Sequence, residues 1–190
     1  MEIQKIADCF TKHRDVLTKS EAQIQKIAAM ADICVKALQE GHKILLCGNG
    51  GSAADAQHIA AELVGRFHRE RRSLPALALT TDTSILTSVS NDYSYDDVFS
   101  RQVEGLGTKG DVLWCITTSG NSENILRAAK AAHEKGMTVI ASLGKDGGKA
   151  APLCDEAFIV PDTSTARIQE MHILAAHSIC EVIDETEWDA

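Results

Sequence analysis

The sequence predicts an α/β domain in which a parallel sheet of five strands lies between two layers of helices. Between residues 44 and 160, short apolar runs alternate with longer segments that have the spacing of amphipathic helices, as in parallel sheets with helical crossovers. The chain has 190 residues, 44% of them hydrophobic, which suffices for the core of one such domain. We therefore expect one three-layer domain, flavodoxin-like or Rossmann-like, over residues 1–190.

Residues 1–40 are expected to form a helical extension ahead of the sheet. They contain no glycine or proline, and apolar residues recur at helical spacing, at Ile24, Ile27, Ala31, Val35 and Leu38. Ile3, Ile6 and Phe10 indicate an earlier helix, so the extension is predicted to be two helices or one broken helix. From the residues alone, it could pack on another subunit or on its own sheet.

The first strand and its helix meet at a glycine-rich bend. The apolar run from Ile44 leads into Gly48-Asn49-Gly50-Gly51-Ser52 and then into an alanine-rich helical segment. Glycine permits positive φ and a close approach of the backbone to a ligand, and the free amides at a helix start favour an anion. We predict that this bend binds a phosphate group.

The same helix carries His58 and Glu62, which are four residues apart and therefore lie on one face. Both are metal-ligating and proton-transferring types, although an exposed i,i+4 contact is the simpler interpretation. Their place about two to three turns beyond the predicted anion site favours a functional role, because one small phosphorylated substrate could reach both. The basic run at residues 66–72 is typical of a solvated loop, and only its Arg66 is placed to reach a substrate.

Four further strands are predicted, at Pro75–Thr80, Asp111–Ile116, Met137–Leu143 and Ala157–Val160. Helices are expected through Ile85 and Val89, up to about Leu106, from Glu123 to Lys135 and from Ser164 to about Glu185. The polar aromatic segment Asn91–Asp97 is interpreted as a loop whose tip lies near the carboxyl ends of the strands.

The third strand leads into a second candidate phosphate loop, Thr117–Ser122. Several hydroxyl groups and a helix start fall within these six residues, enough donors to surround a phosphate without lysine or arginine. A hydroxyl-rich helix cap without a ligand is the alternative. Two such loops in one chain favour ligand binding.

The last predicted helix carries polar residues that interrupt an otherwise apolar pattern, namely Arg167, Gln169, Glu170, His172 and His177. A buried histidine that donates to a backbone carbonyl is the usual explanation for either histidine. Both histidines together with Gln169 indicate a site.

Composition and charge argue against several classes of function. A net charge of -8 disfavours nucleic acid or an anionic membrane as a partner. No run approaches the roughly 18 apolar residues of a membrane span, and the N-terminus lacks a signal-peptide core, so a cytoplasmic protein is expected. The six cysteines have no C-x-x-C spacing and are predicted to be buried free thiols. The dinucleotide and P-loop glycine motifs are absent.

Five motifs in order closely resemble the phosphoheptose isomerases of the sugar isomerase (SIS) domain superfamily. They are Cys-Gly-Asn-Gly-Gly-Ser at 47–52, Asp-Ala-Gln-His-x-x-x-Glu at 55–62, Ser-Asn-Asp at 90–92, Thr-Thr-Ser-Gly-Asn-Ser at 117–122 and Ala-Arg-Ile-Gln-Glu-Met-His at 166–172. The resemblance covers essentially the whole chain. It implies a single SIS domain that isomerises D-sedoheptulose 7-phosphate to D-glycero-D-manno-heptose 7-phosphate through an enediol, the first step towards the heptose of bacterial surface polysaccharide.

The resemblance also implies the site residues. Substrate contacts would fall on Asn49, Gly50, Gly51, Ser52, Glu62, Asn91, Asp92, Thr117, Thr118, Ser119, Ser122 and Gln169. The phosphate would lie between Ser52 and the Thr117–Ser122 loop, and Glu62 and His177 would be the acid–base pair.

One zinc ion per subunit is a further implication of the resemblance, with His58, Glu62, Gln169 and His177 as its ligands. Family members are homotetramers with active sites at subunit interfaces, and residues 1–40 would take part in that packing. Some members have aspartate where this chain has Ala166, so any role of that carboxylate is lost here. Gln169 and His177 are eight residues apart, about 12 Å along a helix, which leaves His172 as an alternative ligand, or Gln169 as a hydrogen-bonding residue only.

Two other functions remain to be weighed. Close homologues of the family are non-catalytic tetramers that bind the bacterial replication initiator, and segments 69–75 and 170–172 resemble theirs as well. A sugar-phosphate-sensing SIS module would need the phosphate loops but no acid–base pair. Neither function requires the four implied metal ligands together, so the isomerase is the leading prediction.

Overall fold

A computed structural model describes residues 2–188. Its strands are β1 (Ile44–Gly48), β2 (Ala76–Ala78), β3 (Val112–Thr117), β4 (Thr138–Gly144) and β5 (Glu156–Val160). They form one sheet in the order β2-β1-β3-β4-β5, and all neighbouring pairs are parallel. This is the flavodoxin-like order, and the predicted five-stranded parallel sheet is confirmed.

The helices are α1 (Glu2–Ser20), α2 (Ile24–Gln39), α3 (Gly51–Val64), α4 (Thr83–Asp92), α5 (Ser100–Leu106), α6 (Glu123–Glu134) and α7 (Thr165–Glu185). Alternating strand residues face opposite layers, as the strand geometry requires. Ile44 and Leu46 pack with α2, α3 and α7, whereas Leu45 and Cys47 pack with α5 and α6. The sheet therefore lies between two helical layers, as predicted.

The N-terminal region is two helices, separated by a 3₁₀ turn at Glu21–Gln23. α2 buries one stripe against the sheet, but only Val16 and Ser20 of α1 are buried. Ile3, Ile6 and Phe10 are 84%, 60% and 72% exposed. The first helix thus leaves an apolar face uncovered within this chain.

The predicted loop at Asn91–Asp97 needs a correction, because Asn91 and Asp92 belong to the last turn of α4. The side chain of Asp82 caps the start of this helix by accepting from the amide of Ile85 at 2.9 Å. The Ser90 hydroxyl donates to the carbonyl oxygen of Leu86 inside the helix. With its polar groups satisfied in this way, the helix extends two residues into the polar stretch predicted as a loop, and a separate 3₁₀ turn follows at Tyr95–Asp97.

The order of the strands reverses between β1 and β3, which places the switch point of the fold there. Gly48 at the end of β1 is in register with Ile116 in β3. The loops that follow the two strands therefore leave the sheet side by side, at the edge where ligands of open α/β sheets bind.

The cysteines are all free, and four of the six are buried, at positions 34, 47, 115 and 180. Cys154 is half-buried and Cys9 is exposed, so the prediction of buried thiols is confirmed for four. No helix within residues 2–188 has the length and apolar character to cross a membrane.

Candidate active site

The bend after β1 depends on glycine for two separate reasons. A Cβ on Gly48 would lie 2.5 Å from the carbonyl oxygen of Ser52, so a larger residue would clash with backbone. Gly50 has φ of +57°, a left-handed conformation that glycine adopts without strain. A Cβ on Gly51 would collide with the amide of Gln169. The Gln169 side chain of α7 therefore lies directly over the start of α3.

The loop after β3 is held in a similar way. Gly120 has φ of +63°, and a Cβ there would collide with the carbonyl oxygen of Gly147. The carbonyl of Gly120 accepts from the amide of Ala150 at 2.9 Å. Ser122 caps α6 with its backbone carbonyl oxygen, and within residues 2–188 its hydroxyl makes no cap bond, which leaves it available to a ligand.

The two loops are joined by a pair of amide side chains. Nδ2 of Asn49 donates to Oδ1 of Asn124 at 2.9 Å, and Nδ2 of Asn124 donates back to Oδ1 of Asn49 at 3.0 Å. The hydroxyl of Tyr95 also donates to Oδ1 of Asn49, at 3.0 Å. The two predicted phosphate loops therefore converge, and the Asn49 side chain is engaged in holding them together.

The second half of the site lies two turns along α3, where His58, Glu62 and His177 meet. Nε2 of His58 is 3.1 Å from Oε1 of Glu62 and 3.1 Å from Nε2 of His177. One ligand atom from each residue lies within 4.8 Å of the others. The side chains of His58 and Glu62 are 47% and 25% exposed, so a ligand can reach this cluster from solvent. Two imidazoles and a carboxylate at this spacing form a candidate metal-binding triad.

Comparison with known proteins identifies the family. The SIS domain model matches residues 9–144. A phosphoheptose isomerase from a Nitratiruptor species is 62% identical over 154 residues, covering 81% of this chain and 82% of that protein. Another, from Aquifex aeolicus, is 54% identical over 184 residues, covering 96% of both. The chain belongs to the phosphoheptose isomerase family.

Solved structures agree with this family membership. A phosphoheptose isomerase from Neisseria gonorrhoeae superposes with a TM-score of 0.93 at 47% identity, and the match covers 98% of this chain and all of that one. The corresponding protein from Francisella tularensis gives a TM-score of 0.95 at 39% identity. The predicted resemblance and SIS fold are confirmed.

The other predicted residues of the phosphoheptose isomerase site are placed as follows. Nε2–H of His172 donates to the carbonyl oxygen of Leu143 at 2.9 Å in the core, so the structure does not bring His172 to the triad. Gln169 lies over Gly51, at the start of α3. Its role as a fourth metal ligand stays a prediction.

Three residues predicted beside the substrate, Arg66, Asn91 and Asp92, are exposed in this chain. Arg66 is exposed, and within residues 2–188 its side chain makes no hydrogen bond or ion pair. Nδ2 of Asn91 donates to Oδ1 of Asp92 at 2.8 Å on the surface. Their roles as substrate contacts stay predictions, and Tyr95 is the neighbour that reaches Asn49.

Sequence reasoning quoted Asp55 in a motif but gave it no role of its own; it lies one turn before His58 on α3. Burial raises the pKa of the Asp55 carboxyl group, and the nearby His58 partly opposes this rise. Its Oδ2 is buried and finds no hydrogen-bond partner within residues 2–188. The spacing of three residues from His58 was the available signal, since it puts both side chains on one face of the helix.

Proposed function

We propose that this protein is an isomerase that interconverts D-sedoheptulose 7-phosphate and D-glycero-D-manno-heptose 7-phosphate, a step towards the heptose of bacterial surface polysaccharide. One observation carries the proposal. His177 of α7 meets His58 and Glu62 of α3, the helix that begins at the glycine bend. Relatives at 54% and 62% identity named phosphoheptose isomerase support this enzyme over a protein that binds the replication initiator.

The phosphate group would bind between Ser52 and the Thr117–Ser122 loop. α3 begins at the first of these loops and α6 directly after the second, and the start of a helix favours an anion through its backbone amides and the positive end of its dipole. Because the Asn49 side chain is already bonded to Asn124 and Tyr95, residue 49 would bind the sugar through its backbone. The local donors offset the net charge of -8.

The chemical step would use Glu62 and His177. Glu62 would take a proton from C1 of the ketose while the carbonyl oxygen on C2 gains one, which gives an enediol. The same carboxyl group would return the proton to C2, and the O1 hydroxyl would lose its proton to give the aldehyde. His177 would carry the hydroxyl proton between O1 and O2, since imidazole exchanges protons near neutral pH.

The triad fits a zinc ion, one per subunit. Two nitrogen ligands of tetrahedral zinc lie roughly 3.3 Å apart for bonds of about 2.0–2.1 Å, close to the 3.1 Å between the His58 and His177 nitrogens. Catalytic zinc sites commonly have three protein ligands and an open position for substrate, and they can expand to five ligands. With Gln169 as the proposed fourth protein ligand, a substrate oxygen would be the fifth. When bound, the metal would polarise the substrate oxygens.

A homotetramer with the site at subunit interfaces is also part of the proposal. The uncovered apolar face of α1, with Ile3 at 84% and Phe10 at 72% exposure, supports packing against another subunit. Six free cysteines support a reducing compartment such as the cytoplasm.

The experiment is an isomerisation assay on D-sedoheptulose 7-phosphate, with zinc content measured on the same samples. We expect the wild type to be active, Glu62→Gln and His177→Ala to lose at least about 100-fold in kcat, and chelation to remove activity. The matched control is Glu181→Gln. Glu181 lies on α7, as His177 does, and its side chain is 60% exposed. Full activity of either active-site variant would exclude that residue from the reaction, and an inactive, correctly folded wild type would contradict the proposed function.

A further inference from the structure

Residues 65–75 join the end of α3 to β2. Their first part, the 65–73 loop, contributes one partner of a buried ion pair. Arg71 in this loop has a side chain only 5% exposed, and its Nε donates to Oδ1 of Asp184 at 3.1 Å. Asp184 lies in the last turn of α7, with a side chain 3% exposed. The sequence suggested that the basic run is solvated, but Arg71 points into the protein.

The Arg71 guanidinium caps the end of α3. Nη2 donates to the backbone carbonyl oxygen of Glu62 at 2.8 Å, and Nη1 donates to that of Leu63 at 3.0 Å. The last carbonyls of a helix have no donor within the helix. Gly65, which follows α3, has φ of -79° and so does not form the usual left-handed cap. Arg71 supplies the missing donors in the turn that holds Glu62.

Asp184 fixes the middle of the same loop. Its Oδ2 accepts from the backbone amides of His68 at 3.0 Å and Arg69 at 2.7 Å. Phe67, the preceding residue, packs against the imidazole of His177 with ring centroids 5.7 Å apart. The loop therefore contacts the proposed acid–base pair on both sides, at the Glu62 backbone and at the His177 ring.

His177 and Asp184 are seven residues apart on α7, about two turns, so they lie on the same face. α7 packs against α3, and His177 on this face meets His58 of α3. One ion pair thus joins the end of α3, the 65–73 loop and α7. We propose that Arg71 and Asp184 are positioning residues that fix Glu62 and His177 relative to each other and so complete the metal-binding triad. This inference rests on the proposed function, and neither residue is assigned a contact with substrate.

The test needs variants that remove the positioning without unfolding the protein. Removing one partner alone would leave a buried unpaired charge, whereas replacing both with apolar residues of similar volume is often tolerated. The main variant is therefore the double substitution Arg71→Met/Asp184→Leu. Arg71→Lys keeps the charge but not the planar set of donors. Arg72→Met is the matched control, because Arg72 is exposed and lies over the Trp188 ring.

Three measurements are made on samples with wild-type circular dichroism at the assay temperature. Hydrogen–deuterium exchange of segment 61–66 in metal-free protein reports on the end of α3. Zinc affinity is measured by competition with a chromophoric chelator, and kcat and KM are measured on D-sedoheptulose 7-phosphate. We expect the double variant to exchange faster in this segment and to lose about 10- to 100-fold in zinc affinity and in kcat, as for other residues that orient metal ligands. KM should change by less than about 3-fold, since the phosphate loops are untouched. We expect the values for Arg71→Lys to lie between those of the wild type and the double variant, and those for the Arg72→Met control to match the wild type.

A folded double variant with wild-type exchange, zinc affinity and kcat would overturn the inference. Failure of the proposed function is a separate result, because the wild type itself would then show no zinc binding or no turnover. The exchange measurement needs neither metal nor substrate, so it tests the role of Arg71 in either case.

Discussion

Lowering the pH should destabilise the protein through one buried histidine, His172. Its side chain lies in the core beside Phe158. Nε2–H donates to the carbonyl oxygen of Leu143 at 2.9 Å, and Nδ1 is buried and finds no partner within residues 2–188. Burial lowers the pKa of His172 to about 4, although the bond to Leu143 opposes this shift. The folded protein therefore keeps this imidazole neutral.

The pKa of His172 sets both the sign and the size of the effect. In the unfolded chain the imidazole takes up a proton near its ordinary pKa of 6.5. Between about pH 6.5 and pH 4 the unfolded state therefore binds more protons than the folded state, and the free energy of unfolding falls as the pH falls. The difference between pKa values of 6.5 and about 4 corresponds to a loss of about 3 kcal/mol by pH 4.

The assay is urea unfolding of metal-free protein at fixed concentration, at several pH values between 7 and 4, for the wild type and His172→Gln. Glutamine does not titrate, and its amide can donate to the Leu143 carbonyl in place of Nε2–H. We expect the wild type to lose about 3 kcal/mol more than the variant over this range. Parallel curves for the two proteins would refute the reasoning. At pH 7 the variant should bind zinc and turn over substrate normally, because His172 is not part of the triad.

Two further predictions concern the proposed phosphate loop, Thr117–Ser122, and Asp111, the residue before β3. Gly120→Ala should raise KM by at least about 10-fold and destabilise the fold by about 1–2 kcal/mol or more, because Gly120 has φ of +63° and its Cβ would collide with Gly147. A wild-type KM would contradict this role of the loop. Burial acts to raise the pKa of the Asp111 carboxyl group, but bonds from Lys43 and Thr108 outweigh it and hold the pKa below its ordinary value of 3.8. The stability that Asp111 provides should therefore be present at neutral pH and lost as the pH falls below about 4, so Asp111→Asn should be less stable than the wild type at pH 7 but lose less on acidification. An equal loss in both proteins, measured by urea unfolding, would contradict it.

Much of the fold could be predicted because its signals are local. Three such signals follow one another along the chain: the apolar run at β1, the glycine bend and the alanine-rich start of α3. Each reflects the backbone conformation that adjacent residues must adopt. The spacing of His58 and Glu62 fixed their common face in the same way. The Thr117–Ser122 loop was recognisable by its hydroxyls and by the helix start that follows.

The rest of the site depends on contacts between distant segments. The sequence analysis does not single out Asn124, since only the register of β1 and β3 brings it to Asn49. Arg66 and Arg71 belong to one basic run, and the sequence favoured Arg66 because it is one turn from Glu62. The fold instead buries Arg71, because Asp184 of α7 is available only in the tertiary structure. A run of charged residues does not indicate which of them will form a buried ion pair in the folded protein.

The most direct test of the central claim, that Glu62 moves the proton between C1 and C2, is solvent deuterium uptake into the sugar. The wild type and Glu62→Gln are incubated with D-sedoheptulose 7-phosphate in deuterium oxide, and the label is located by NMR. We predict deuterium at C1 of the ketose or C2 of the aldose with the wild type, and uptake reduced at least about 100-fold with the folded variant. Equal uptake by both proteins would contradict the account.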